Sequence, residues 1–400
     1  MVKDAYRKVK SNKGSAGVDK ESLEKFEVNL LDNLYVLWNR LSSGSYYPKP
    51  VREVEIPKSD GTKRKLGIPT VSDRIAQEVI KTSLEPRLEA IFSDHSCGYR
   101  PLKSAHDAIV EVTKNTRQYA WVIDMDIKAF FDEVSHELLM KAIDCHVEEK
   151  WVKMYITRWL EAPSQSSKGI LTQKNGNGTP QGGVISPLLA NLFLHYVLDK
   201  WLSITHPQVA FVRYADDVII HCHTEEEAKI ILESIGRRLK ECKLRLSEQK
   251  TKIVYCLNYE RKQRKDYPKK FDFLGFTFKP KSFQSKQGGR FTGFGSVISQ
   301  KAQSRITDGW KTLKLHRHSE NKLQDIANKL NPQIRGIINY YGKVNLLGFR
   351  SLFRNLEHRL CKWTKNKYKL KSYSAGYKWL NSIRVSYPNT FYHWAHFKEN

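Results

Sequence analysis

The spacing of apolar positions changes several times along the chain, and each change marks an element. "VREVEIPK", 51–58, alternates apolar with charged residues, as a half-buried strand does. In "SDGTKRKLGIP" the pair Asp60-Gly61 is a hairpin turn signal, which predicts a second strand from Thr62 to Ile68. "YAWVIDMDI", 119–127, predicts a buried strand, and HELLMKAI a helix capped by Ser135. "GNGTPQGGVISPLLANLFLHYVL", 176–198, is a glycine-rich loop leading into a long apolar helix. "FVRYADDVII", 211–220, is strand-like except for two adjacent aspartates at its centre. "TEEEAKIILESIGRRLKECKL" is an amphipathic helix capped by Thr224, with Glu227 placed as in a capping box. "KTKIVYCL" and "FDFLGFTF" predict further strands. The order strand, helix, helix, hairpin, helix, strand implies an α+β fold: an antiparallel sheet covered on one face by helices.

A shift in composition follows. "KPKSFQSKQGGRFTGFGS", 279–296, is rich in Gly, Ser and Lys, and reads as a linker. From 297 to 370 the pattern is helical with a break at Asn331-Pro332, and 371–400 reads as a basic, aromatic tail. The expected division is 1–110, 111–280, a linker at 281–296, a helical domain at 297–370 and the tail at 371–400. No internal repeat is present.

Charge narrows the function. Lys and Arg number 68 against 42 Asp and Glu, a net charge of +26 on 400 residues. Such an excess repels itself unless a polyanion neutralises it, and nucleic acid is the leading partner. A membrane is the rival polyanion, but no apolar run approaches the ~18 residues of a span. "MVKDAYRKVKSNKG" lacks the apolar core of a signal peptide. The six cysteines form no CxxC pair, which points to reduced thiols in a cytosol and away from a zinc module. His221-Cys222-His223 looks metal-like, yet a strand puts only 221 and 223 on one face, without further ligands.

The aspartates are explained by a hairpin. If Tyr214-Ala215-Asp216-Asp217 forms its turn, both carboxylates leave the sheet at one place, where they repel and resist ionising together. A divalent cation relieves that, and magnesium favours hard oxygen ligands. A third carboxylate is best supplied by Asp126, at the exit of the strand 119–127; Asp124 shares its parity but lies inside the strand. Two ions some ~3.5–4 Å apart can stabilise the attacking and leaving oxygens of an in-line phosphoryl displacement.

"YADD" between apolar runs, "DIKAFFD" upstream and "GTPQGGVISPLLANLFL" between them resemble the polymerase motifs of reverse transcriptases. The set is similar to bacterial group II intron-encoded proteins, which combine reverse transcriptase and maturase activities. "KGSAGVD", "IPKSDGTKRKLGIPTVSDRIAQ" and "SCGYRP" match the finger motifs in order, "LRLSEQKTKIV" and "FDFLGFTF" the last palm motifs, and "LNPQIRGIINYYG" the maturase region that doubles as thumb. The resemblance spans about residues 5–370. It implies a right-hand polymerase: fingers and palm with an antiparallel sheet, then a helical thumb.

The resemblance also assigns roles. Asp126, Asp216 and Asp217 would hold two Mg2+ ions, which Mn2+ could replace, helped by the Ile127 carbonyl. Lys58 and Arg64 would clamp the incoming triphosphate, a point charge beside a planar fork. Gln181, flanked by glycines 178, 182 and 183, would lie on the nascent pair. Phe131 falls where the steric gate against a 2′-hydroxyl sits, Lys250 would act as acid toward pyrophosphate, and Phe273, Leu274 and Gly275 resemble the primer grip. Two departures stand out. The chain before KGSAGVD is short for the family, which suggests a truncated start. No paired cysteines and histidines follow the thumb, as in members without an endonuclease.

Arg359, Lys362, Lys365, Lys367, Lys369 and Lys371 interleave with Trp363, Tyr368 and Tyr373, a pattern suited to phosphate neutralisation and base stacking. The expected protein copies an RNA template from a DNA primer with dNTPs, binds its group II intron RNA to assist splicing, and reaches target DNA for retrohoming, in a bacterial cytoplasm near the nucleoid. A domesticated host enzyme of DNA repair, defence or spacer capture is the near alternative. A non-catalytic RNA-binding splicing factor is the distant one, and the intact carboxylates count against it.

Overall fold

The computed structural model describes residues 1–57, 61, 63–261, 264, 266–285, 288–343 and 349–396. The expected turn residue Asp60 and the triphosphate ligand Lys58 lie outside the described residues. Two compact units divide the chain, Met1–Ile253 and Val254–Asn400, so residues 1–110 and 111–253 share one unit.

The strands of the first unit are β1 (Val51–Pro57), β2 (Lys63–Ile68), β3 (Trp121–Asp126), β4 (Ser164–Gln165), β5 (Leu171–Thr172), β6 (Ala210–Tyr214) and β7 (Asp217–Cys222); the chain leaves it along β8 (Lys252–Tyr255). One sheet runs β2-β1-β4-β5 and the other β6-β7-β3-β8. In the second sheet β7 pairs antiparallel with both β3 and β6. Val218, Ile219 and Ile220 are all buried, on both sides of β7, so this sheet is covered on two faces and not one. A continuous apolar run is the signature of that arrangement. Each of those side chains stabilises the unit by about 1.5–3 kcal/mol. The helices Ala105–Gln118 and Glu225–Glu241 pack on the sheet. Thr224 caps the latter, accepting from the Glu227 amide at 3.1 Å, while the Glu227 carboxylate reaches back to the His223 amide at 2.7 Å. Ser135 precedes the helix His136–Asp144, but its side chain makes no capping bond.

In the second unit β9 (Phe271–Phe273), β10 (Phe276–Gln284) and β11 (Arg290–Ile298) form an antiparallel sheet in the order β11-β10-β9. The expected linker at 281–296 is therefore mostly hairpin, with Phe276 opposite Ile298 and Gln284 opposite Arg290. Helices Gln300–Thr312, Leu323–Tyr341 and Arg350–Lys367 follow. No break occurs at Asn331-Pro332: the helix runs through Pro332, and the Asn331 side chain bonds the Thr390 carbonyl and the Tyr392 amide, both at 2.9 Å. The expected tail is accordingly a packed part of the unit. It forms helices Tyr373–Ser386 and Tyr392–His396, buries Phe391 and Trp394, and bonds Glu357 through His393 at 2.6 Å and the Trp394 indole at 2.7 Å. Among the described residues no helix is long and apolar enough to cross a membrane.

All six cysteines are free, and only Cys145 is exposed. His221-Cys222 belongs to the core of the β6-β7-β3-β8 sheet, and among the described residues no group of three or more His, Cys, Asp or Glu side chains is placed to hold a metal. Both His221 ring nitrogens are buried without a hydrogen-bond partner, and burial pushes the imidazole down to about 3. The unfolded chain takes up that proton near pH 6.5. Stability present above pH 6.5 is thus lost as pH falls toward 3, by up to about 1.4 kcal/mol per pH unit. His221→Leu should flatten this limb and cost nothing at pH 7, since it removes an unpaired polar ring. Urea unfolding at pH 4 to 7 checks it; an unchanged pH slope refutes it.

Candidate active site

Register brings the acids together. Asp126, the last residue of β3, pairs with Asp217, the first of β7, and Asp216 occupies the two-residue turn that joins β6 to β7. Asp124 lies one side-chain repeat further in, opposite Ile219, and pairs with Lys252 at 3.2 Å. Burial, then the charges of Asp216, Asp126 and Asp124, push the Asp217 carboxyl up to about 7, although one face stays open to solvent. Asp216 is raised as well, by burial and by repulsion from Asp126. Lys250 holds both Asp126 oxygens, at 3.1 and 3.2 Å. The Asp126 carbonyl and the Lys128 amide bond the segment 245–247, which leaves the Ile127 carbonyl outside that pairing. These donors fit a hard divalent cation in type and in excess negative charge. As the side chains stand, the three carboxylates do not converge on one point, and Lys250 supplies the neutralising charge instead.

The turn itself is held from beneath. Ala215 has φ 57°, a conformation disfavoured for a residue with a Cβ. A Cβ on Gly98 would lie 2.4 Å from the Ala215 nitrogen, so only glycine lets the segment 95–98 approach this closely. Arg213, wholly buried on β6, bonds Asp199 through Nε at 2.7 Å and Nη2 at 2.5 Å, and its Nη1 donates to the Asn191 side chain and the Ala215 carbonyl, both at 3.0 Å. Asn191 in turn donates to the Gly98 carbonyl at 2.7 Å.

The glycine-rich loop is fixed in a similar way. The Gly67 amide donates to the Gln181 carbonyl at 2.6 Å, and a Cβ on Gly182, at φ 112°, would meet the Gly67 carbonyl oxygen at 2.4 Å. Gln77, on the buried helix Val71–Glu89, accepts from the Val184 and Ile185 amides at 2.7 and 3.4 Å. The Phe131 carbonyl accepts from the Thr179 amide at 2.8 Å, which ties the half-buried Phe131 to this loop. Arg64 is exposed on β2. Tyr99, at φ 55° and 56% exposed, packs its ring 6.3 Å from that of Tyr214, and its hydroxyl is raised by burial and then by the charge of Asp216. Sequence reading gave no role to Gln77, Gly98, Tyr99, Asn191, Asp199 or Arg213. A charge inside the apolar run 211–220 was the one available signal, and it pointed to Arg213.

In the second unit Leu274 (φ 49°) and Gly275 (φ 80°) form the β9–β10 turn, and Tyr340 donates to the Leu274 carbonyl at 2.9 Å. Phe273 is buried, so its ring cannot serve as a primer contact; the turn alone is presented. Trp363 is also fully buried, and its indole donates to the His318 carbonyl, which removes it as a stacking platform. Lys367 donates to the Ser319 and Asn321 carbonyls, each at 2.8 Å, and acts as a brace. Lys362, Lys365, Lys369 and Lys371 are exposed. Arg359 and Lys362 line a cavity of about 260 Å³ with Leu315, His316, Asn355 and His358.

Residues 56–278 match the family described as reverse transcriptase (RNA-dependent DNA polymerase), and residues 303–381 match the group II intron, maturase-specific domain. The chain belongs to the reverse transcriptases of bacterial group II introns. Protein YkfC of Escherichia coli is 34% identical over 291 residues, covering 63% of this chain and 76% of YkfC. The group II intron-encoded protein LtrA of Lactococcus lactis is 32% identical over 268 residues, 65% of this chain and 42% of LtrA. Nuclear intron maturase 2 of Arabidopsis thaliana is 26% identical over 251 residues, 50% of this chain and 34% of that protein. This chain thus spans three quarters of YkfC and under half of LtrA.

On the expectation that Phe131 is the steric gate, Phe131→Ala raises ribonucleotide over deoxynucleotide incorporation by about 10- to 100-fold, at some cost in rate. Single-nucleotide insertion with paired rNTP and dNTP titrations measures the ratio. An unchanged ratio in an active variant leaves Phe131 as a core aromatic.

Proposed function

We propose that this reverse transcriptase extends a DNA primer on an RNA template with the assistance of two Mg2+ ions, replaceable by Mn2+. We further propose that it binds its group II intron RNA to assist splicing and retrohoming into target DNA in a bacterial cytoplasm. The observation that carries the polymerase reading is the pairing of Asp126 with Asp217, with Asp216 on the adjoining turn. The primer 3′-oxygen attacks the α-phosphorus, forming one P–O bond while the bond to pyrophosphate breaks. Asp126, Asp216 and Asp217 would hold the ions, which supply a Lewis acid for the attacking and leaving oxygens. Arg64 would meet the triphosphate, Gln181 would lie under the nascent pair, and Lys250 would give its proton to the departing pyrophosphate.

Intron binding would draw on the exposed Lys362, Lys365, Lys369 and Lys371, with Arg359 beside them. Lys365→Ala/Lys369→Ala/Lys371→Ala removes up to three phosphate contacts, each about 0.7–0.9 unit of log–log salt slope. We expect weaker and less salt-sensitive binding to the cognate intron, splicing lost at moderate salt, and near-normal extension of a short generic primer-template. Filter binding across salt, a splicing assay and primer extension on the same preparation decide it. Normal splicing, or equal loss of splicing and extension, sinks the separation.

A further inference from the structure

We infer that Arg213, gripped by Asp199 and Asn191, is a positioning residue that sets the catalytic turn, an inference that rests on the polymerase reading above. The guanidinium makes four hydrogen bonds without reaching solvent: two to Asp199, one to Asn191 and one to the Ala215 carbonyl. Its own backbone joins a third segment, since the Arg213 amide donates to the His95 carbonyl and the Cys97 amide to the Arg213 carbonyl, both at 2.8 Å. Asn191 bonds the Gly98 carbonyl, and Gly98 packs beneath Ala215. Three sequence-distant segments, 95–98, 191–199 and 213–215, therefore meet around Ala215, the residue that precedes Asp216.

Stability alone does not account for this arrangement. An ion pair with both side chains at 0% exposure gives up hydration that its attraction barely recovers, and apolar side chains of the same volume are often as stable. An apolar side chain, however, cannot hold the Ala215 carbonyl. That carbonyl belongs to a residue in the left-handed region, which persists only where its surroundings impose it. The partner side supports the same view. Asp199 ends the π-helical turn His195–Asp199, whose i to i+5 bonding runs from the Lys200 amide to the His195 carbonyl. Such turns are rare and concentrate at functional sites. Here the turn closes on the carboxylate that grips Arg213. The clamp, wholly buried, thus sets Asp216 against Asp126 through the Ala215 carbonyl.

The decisive variant is the double Arg213→Met/Asp199→Leu, which removes both charges and keeps volume. We expect its urea unfolding midpoint to match wild type. Its single-turnover extension rate should fall about 10- to 100-fold, as should its affinity for Mn2+ measured by electron paramagnetic resonance without nucleotide. Primer-template affinity should stay unchanged. Arg213→Lys keeps the charge but cannot span Asp199 and Ala215 together, and should recover only part of the rate and of the Mn2+ affinity. A double variant that folds and extends primers within about threefold of wild type overturns the inference, as does one that fails to fold, for then the pair is a folding element. If wild type itself makes no DNA, the polymerase reading fails, and the Mn2+ comparison still decides the clamp.

Discussion

Asp216→Ala and Asp126→Ala each abolish primer extension, by at least about three orders of magnitude, and leave binding to intron RNA nearly intact. The two outcomes separate because they draw on different parts of the protein. The carboxylates sit at one end of β3 and β7, whereas the proposed RNA contacts are exposed basic residues elsewhere, lysines 362, 365, 369 and 371 among them. Asp124→Asn is the control. Its carboxylate is one side-chain repeat further inside and is already neutralised by Lys252, so its loss should be mild. Primer extension beside filter binding measures all three variants. Retained synthesis in either of the first two refutes the site, and an equally dead Asp124→Asn means the wrong acid of the pair has been assigned.

Gly98→Ala should be almost as damaging, though residue 98 touches no reactant. The added methyl would sit 2.4 Å from the Ala215 nitrogen and 3.0 Å from the Tyr214 carbonyl carbon. Backbone cannot yield there as a flexible side chain would, so the turn must move. Overpacking of this kind costs about 1–3 kcal/mol of stability. The larger effect is on geometry, since a displacement near 1 Å at the catalytic groups costs about 100-fold in rate. We expect slow extension, unchanged RNA affinity and a modest drop in the unfolding midpoint. A Gly98→Ala variant with wild-type extension would show that the turn is less constrained than its packing implies.

How far the sequence could be read depended on whether a signal was local. The β6–β7 hairpin, the strand ending at Asp126 and the loop before Ser186–Leu194 each carry their pattern within about ten consecutive residues, and were legible. The β10–β11 hairpin was not. Only its base is buried, so its outer half lacks alternation, and backbone pairing holds residues whose composition resembles a linker. Trp363 was misread because lysines surround it in sequence. On the helix it follows Leu356 and Leu360 at the spacing of a buried face, a period the charged neighbours masked. Arg213 and Asp199 lie on different elements, and nothing short of the fold could pair them. Phe391 and Trp394 fill a core from a segment too short to show any period.

The thiols offer a practical consequence. Cys97, Cys222, Cys242, Cys256 and Cys361 are buried, and burial raises each of them, Cys222 to about 12. A raised, enclosed thiol supplies almost no thiolate at neutral pH and reacts slowly with maleimides. Cys145, at the end of His136–Asp144, is the exception, being open to solvent. The unmodified chain therefore carries a ready-made single attachment point for a fluorophore. A dye there and another on a primer or on intron RNA would turn binding and translocation into distances followed in real time, with no cysteine removed or introduced.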